Sequence, residues 1–138
     1  MTQLRCTLFL AVFVLLPVHA TEVDIVEEAR GKTVYWLSLV DTNEFDSSWD
    51  SAASLFQAAI TKEAWSQTIG TVRSPIGALR LRELSSSTFT TSLPGAPDGE
   101  YVVFQFNSSF ENKATAVETV TAMRDNDGEW KVSGYFIK

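Results

Sequence analysis

The period of the hydrophobic pattern changes once along this chain, near Ala78, and that change fixes the order of its secondary structure. Upstream, apolar residues recur at helical spacing. Val26, Ala29, Thr33, Trp36, Leu37 and Val40 fall on one stripe of a first helix. Gly31 interrupts that stripe at about 1 kcal/mol relative to alanine, so a bend or fraying is expected there. Asp41-Thr42-Asn43 stops the helix and can cap the next, with Glu44 in position for a capping box. Trp49, Ala52, Ala53, Phe56 and Ile60 form a second stripe. Thr61 can cap a third, short helix carrying Ala64, Trp65, Thr68, Ile69 and Val72, and Ser74-Pro75-Ile76-Gly77 ends it.

Downstream the period is two. Ala78 to Leu93 reads as one long or bent strand, with Leu79 and Leu81 alternating against Arg80 and Arg82. Pro94 to Gly99 is a turn-rich loop, and Glu100–Phe110, Ala114–Arg124 and Glu129–Lys138 supply three more strands. Asp125-Asn126-Asp127-Gly128 marks a hairpin between the last two. Three helices followed by four consecutive strands predict an α+β fold, an antiparallel meander with the helices on one face. Alternation places Phe104, Phe106, Trp130, Val132 and Phe136 toward the helices. Tyr101, Val103, Gln105, Lys131, Ser133 and Tyr135 would face away, a face too apolar to be wholly solvated, for which partial burial, a dimer contact and a ligand contact are all open.

Residues 1–20 are expected to be a secretory signal peptide: Arg5, the apolar run Cys6–Leu16, Pro17, then Val18-His19-Ala20 before the cut. The run is far short of the roughly 20 apolar residues that span a bilayer, so no stable membrane insertion is expected after cleavage. Residues 21–138 then form a single α+β domain, periplasmic or secreted. The leader holds the only cysteine and the only histidine. Its removal excludes thiol catalysis, the ordinary serine triad and histidine-ligated metal sites, so neither metal nor cofactor is expected. Without Arg5, 10 Lys and Arg stand against 17 Asp and Glu, a net charge of −7 that argues against nucleic acid as a partner.

Among the remaining reactive groups Glu118 stands out. Its strand reads Ala114, Ala116, Glu118, Val120, Ala122 on one face, a carboxylate in an apolar row. A buried glutamate needs a raised pKa or a cation, and Arg73, Arg80 and Arg82 are the candidate partners. Arg73, Arg82 and Glu118, together with Tyr101, are the candidate binding residues; no catalytic residue is assigned. Trp36, Trp49, Trp65 and Trp130 lie on the apolar stripes and read as core. The Asp125–Glu129 segment lacks the ligand spacing of a calcium loop.

Spaced motifs add a resemblance. Trp36-Leu37, Val40-Asp41, Ser48-Trp49, Trp65, Arg73-Ser74-Pro75-Ile76-Gly77, Arg82, Leu93-Pro94-Gly95-Ala96-Pro97-Asp98-Gly99-Glu100-Tyr101, Phe110, Lys113, Glu118-Thr119 and Gly128-Glu129-Trp130-Lys131-Val132-Ser133-Gly134-Tyr135-Phe136 resemble a bacterial family of exported proteins known as domain of unknown function 4019. The resemblance implies export and a small stand-alone domain, and supplies no catalytic assignment. The element order is also similar to the NTF2-like and cystatin-like cones, in which a curved sheet wraps a helix and often encloses a pocket. The expected function is a non-enzymatic module that binds a small molecule or a protein partner in the bacterial envelope. The alternative is a pocket enzyme using Glu118 with a nearby Tyr or Arg for acid–base chemistry.

Overall fold

The computed structural model describes residues 20–138; the expected leader falls, but for Ala20, outside them. Four helices precede the sheet: α1 (Glu22–Asp41), α2 (Phe45–Asp50), α3 (Ser54–Ala59) and α4 (Lys62–Ile76). α1 starts at a capping box, Thr21 with Asp24, and runs unbroken through Gly31. The helix does not fray there, and a side chain at Gly31 would meet nothing within 4 Å.

The second predicted helix is two helices. Between α2 and α3 the chain breaks at Ala52 and Ala53, which are buried, and the Ala53 N–H donates to the Val132 carbonyl at 2.8 Å. A continuous helix would keep that N–H for its own ladder. Docking on the sheet takes it instead, and the N-terminus of α3 is held by Asp125, which accepts from Ser54 N at 3.0 Å and Ser54 Oγ at 2.5 Å. The capping box expected at Glu44 is also absent: Glu44 is itself the N-cap of α2, and its carboxylate accepts from Thr42 Oγ1 at 2.7 Å.

α4 ends at Gly77, whose φ of 77° suits glycine, and an added Cβ would lie 2.9 Å from Glu111 Cβ. Beyond it come β1 (Leu79–Thr90), β2 (Tyr101–Phe110), β3 (Lys113–Arg124) and β4 (Trp130–Ile137), antiparallel neighbours in the order β1-β2-β3-β4. The fold is therefore α+β with helices mostly N-terminal and a sheet that does not close. Its core joins Trp36, Leu37, Val40 and Trp65 to Val102, Phe104, Phe106, Val120, Trp130 and Val132. The ring centroids of Trp36 and Trp65 lie 5.8 Å apart.

Strict alternation fails on β4. Thr121 pairs with Gly134 but Ala122 pairs with Val132, so Ser133 is an extra residue in a β-bulge. The bulge reverses the faces of everything after it. Tyr135, expected outside, packs against Trp36 with centroids 5.6 Å apart. Phe136, expected inside, is 57% exposed.

Candidate functional site

Beneath the helices, four charged residues from four elements form one cluster, with Arg73 and Glu118 buried and Asp41 and Arg82 partly so. Asp41 is the last residue of α1, Arg73 lies in the last turn of α4, Arg82 is on β1 and Glu118 on β3. Arg82 sits between the two carboxylates. Its Nε and Nη2 donate to Glu118 at 2.7 and 3.0 Å, and its Nη1 and Nη2 donate to Asp41 at 2.7 and 3.0 Å. Only a guanidinium can fork onto two carboxylates this way. Arg73 Nη2 adds a 2.7 Å bond to Asp41, and its Nη1 lies 3.9 Å from Glu118.

Glu118 has no exposed surface. Besides Arg82 it accepts from Ser108 Oγ at 2.5 Å and from the Tyr135 hydroxyl at 2.6 Å. Each carboxylate oxygen therefore takes two hydrogen bonds, which fills the roughly four lone-pair positions of the group. Burial pushes its pKa up, but the Arg82 contact and the two hydroxyls outweigh burial and leave it below the ordinary carboxylate value. Asp41 is lowered in the same way, burial being overcome by Arg82 and Arg73. Burial and the Glu118 charge together raise the Tyr135 phenol, which stays protonated and donating.

The cluster is electroneutral, two cations against two anions, and lies where two helices end. The C-terminal ends of α1 and α4 favour its arginines. Three of its members were not singled out as site residues from sequence. Asp41 reads as a helix stop, Ser108 as an unremarkable strand serine, and Tyr135 was placed on the wrong face by the bulge. For Asp41 a signal exists: it follows Val40 and stands four residues after Leu37, at the edge of the buried stripe. Arg80, the third candidate cation, is exposed and joins no ion pair among the described residues.

Tyr101 does not belong here either. It is buried on the opposite face, where its hydroxyl donates to the Pro97 carbonyl at 2.6 Å and its ring lies 3.6 Å from a Cβ built at Gly99. Its role in the fold is to hold the loop before β2 against the sheet.

Two members of the cluster, Asp41 and Arg73, border open space. A cavity of about 490 Å³ is lined by Asp41, Asn43, Phe45, Gly70, Arg73 and Ser74, among others. Arg73 is only 5% exposed, stacks over Phe110 at 4.7 Å, and keeps two buried donors, Nε and Nη1, with no acceptor in hydrogen-bond range among the described residues. A family model described as a protein of unknown function, DUF4019, matches residues 32–135. The chain belongs to the DUF4019 family. The matched region contains Asp41, Arg73, Arg82, Ser108, Glu118 and Tyr135, so the whole charge cluster of this DUF4019 domain lies within it. No curated protein and no solved structure matched it.

Proposed function

We propose that this DUF4019 domain is an exported, non-enzymatic module of the bacterial envelope that binds a small polar molecule between the ends of α1 and α4. Arg73 carries the reading: a buried guanidinium lining a ligand-sized cavity, whose two unmatched N–H groups are sealed from solvent in the free domain and meet a ligand only when the side chain shifts toward the cavity. Unmatched buried donors are rare, and each costs about 1–3 kcal/mol until an acceptor arrives. The neutral cluster and two helix C-termini do not favour an added anion. The fitting ligand is uncharged and offers carbonyl or hydroxyl oxygens to Arg73.

Acid–base catalysis by Glu118 is the poorer reading, because its acceptor positions are filled and it has no exposed surface. Binding of a protein through a Tyr101–Val103–Tyr135 patch is poorer too, since Tyr101 is buried and Tyr135 faces the core. The test is native mass spectrometry of protein released gently from its own envelope fraction, with Ser74→Trp as a variant that fills the cavity without touching the ion pairs. A mature chain starting near Thr21, carrying a small adduct that the variant loses, is the expected result. An intact leader overturns the export reading. No adduct, or an equal adduct on both proteins, overturns the cavity reading.

A further inference from the structure

A different surface carries the second inference. On the outer face of the sheet, register sets Glu83, Asn107 and Val117 side by side, and Lys138 completes that rung through two backbone hydrogen bonds with Val117 at 3.0 and 3.1 Å. The next rung holds Leu81 and Ser109. An open groove of about 470 Å³ runs over these residues and reaches Lys113 at the start of β3. Its apolar walls are exposed, Leu81 at 54% and Val117 at 36%.

The distribution of positive charge marks the same place. Among the described residues ten carry Lys or Arg, and seven of them lie within 4 Å of a carboxylate. The three that do not are Arg80, Lys113 and Lys138. Arg80 lies next to Leu79, whose partner Phe110 also pairs with Lys113, so these two cations share one end of the sheet, and Lys138 stands on the Val117 rung four residues further along β3. Acids outnumber bases in this chain, so the lack of partners is a matter of placement. Glu83, the acid on the groove, stands on β1 while Lys138 follows β4, three strand spacings or about 14 Å across the sheet. The groove is thus polarised, apolar along Leu81 and Val117 and cationic at its β3–β4 side.

We propose that this groove binds the monomer of a single-chain anionic amphiphile, a fatty-acid-like carboxylate. The tail lies on Leu81 and Val117, and the head group meets Lys113 and Lys138. The volume suits one ligand molecule, and the acidic remainder of the surface opposes adsorption to an anionic bilayer. The proposal does not rest on the Arg73 cavity.

Isothermal titration of the mature protein with dodecanoate below its micelle concentration tests it, beside dodecanol, acetate and phosphatidylglycerol vesicles. One saturable dodecanoate site is expected, with dodecanol at least tenfold weaker and no acetate binding. Lys113→Glu should weaken dodecanoate at least tenfold, Leu81→Asp likewise, and Ser74→Trp should leave it unchanged. Absence of saturable binding, equal affinity for dodecanol, indifference to Lys113→Glu, or binding to vesicles alone would each overturn the proposal. Lys113→Glu alters a surface residue, so it remains informative even if Leu81→Asp folds poorly.

Discussion

Ser108 and Asn107 are neighbours on β2, as Glu118 and Val117 are on β3, yet the two pairs live under opposite rules. Ser108 and Glu118 point beneath the helices, where every charge of the cluster has an ionic partner and only Arg73 keeps N–H groups unmatched. Asn107 and Val117 line the outer groove, where Lys113 and Lys138 have no ionic partner among the described residues. The difference is desolvation. A carboxylate removed from water costs several kcal/mol unless its partners are placed well, so the inner face is over-determined. Water satisfies the outer face, which leaves its side chains available to something from outside.

The sharpest way to break that contrast is to remove the residue that holds the inner face together. Arg82→Met leaves Asp41 and Glu118 buried beside each other with Arg73 alone, and should destabilise the domain by about 3–5 kcal/mol in urea unfolding. A loss under about 1 kcal/mol would mean that water reaches the cluster and that the two faces are alike. Acid sharpens the same point at the Asp125 knot, where burial is outweighed by Ser54, Asn126 and Lys131 and the carboxyl pKa falls to about 2. Because the folded value lies below the unfolded one, this stability is complete above about pH 4 and is lost as pH falls toward 2. Asp125→Asn should cost on the order of 2 kcal/mol at neutral pH and flatten the fall in melting temperature across that window. Asp41 and Glu118 act with the same sign, so Glu118→Gln should also reduce acid sensitivity. A smaller effect is expected for Tyr135→Phe, which removes one hydrogen bond to the Glu118 carboxylate and keeps the ring against Trp36. A loss of about 1.5 kcal/mol by thermal melting is the expected reading.

What the sequence made legible follows the reach of each signal. The switch of period at Ala78 set the α+β order, and the apolar row through Glu118 exposed a carboxylate that had to be paired. Arg73, Arg80 and Arg82 followed from it as candidate partners, of which the structure brings Arg82 and Arg73 to the carboxylate. The split at Ala52 and Ala53 was hidden, because a hydrogen bond to Val132 is a tertiary event and leaves no periodic trace. Tyr135 was hidden for a related reason. One bulged residue, Ser133, reverses every later face on β4, and its one trace in the sequence is Gly134, a glycine inside a strand. Tyr101 misled in the other direction: its position faces away from the helices, but the Pro97–Gly99 loop covers it.

The smallest effect in stability is expected on the outer face, and there the prediction is one of near silence. Leu81→Ser and Val117→Thr change exposed side chains on the same strands that carry Arg82 and Glu118. Removing an exposed leucine leaves no cavity and strands no polar group, so each variant should unfold within about 0.5 kcal/mol of the parent. Threonine even suits the pleated surface of β3 as well as valine does. The two measurements then separate: stability unmoved, dodecanoate affinity reduced. If either variant instead lost more than about 1 kcal/mol, Leu81 and Val117 would be holding the fold, and the contrast between a matched inner face and an available outer one would fail at the groove itself.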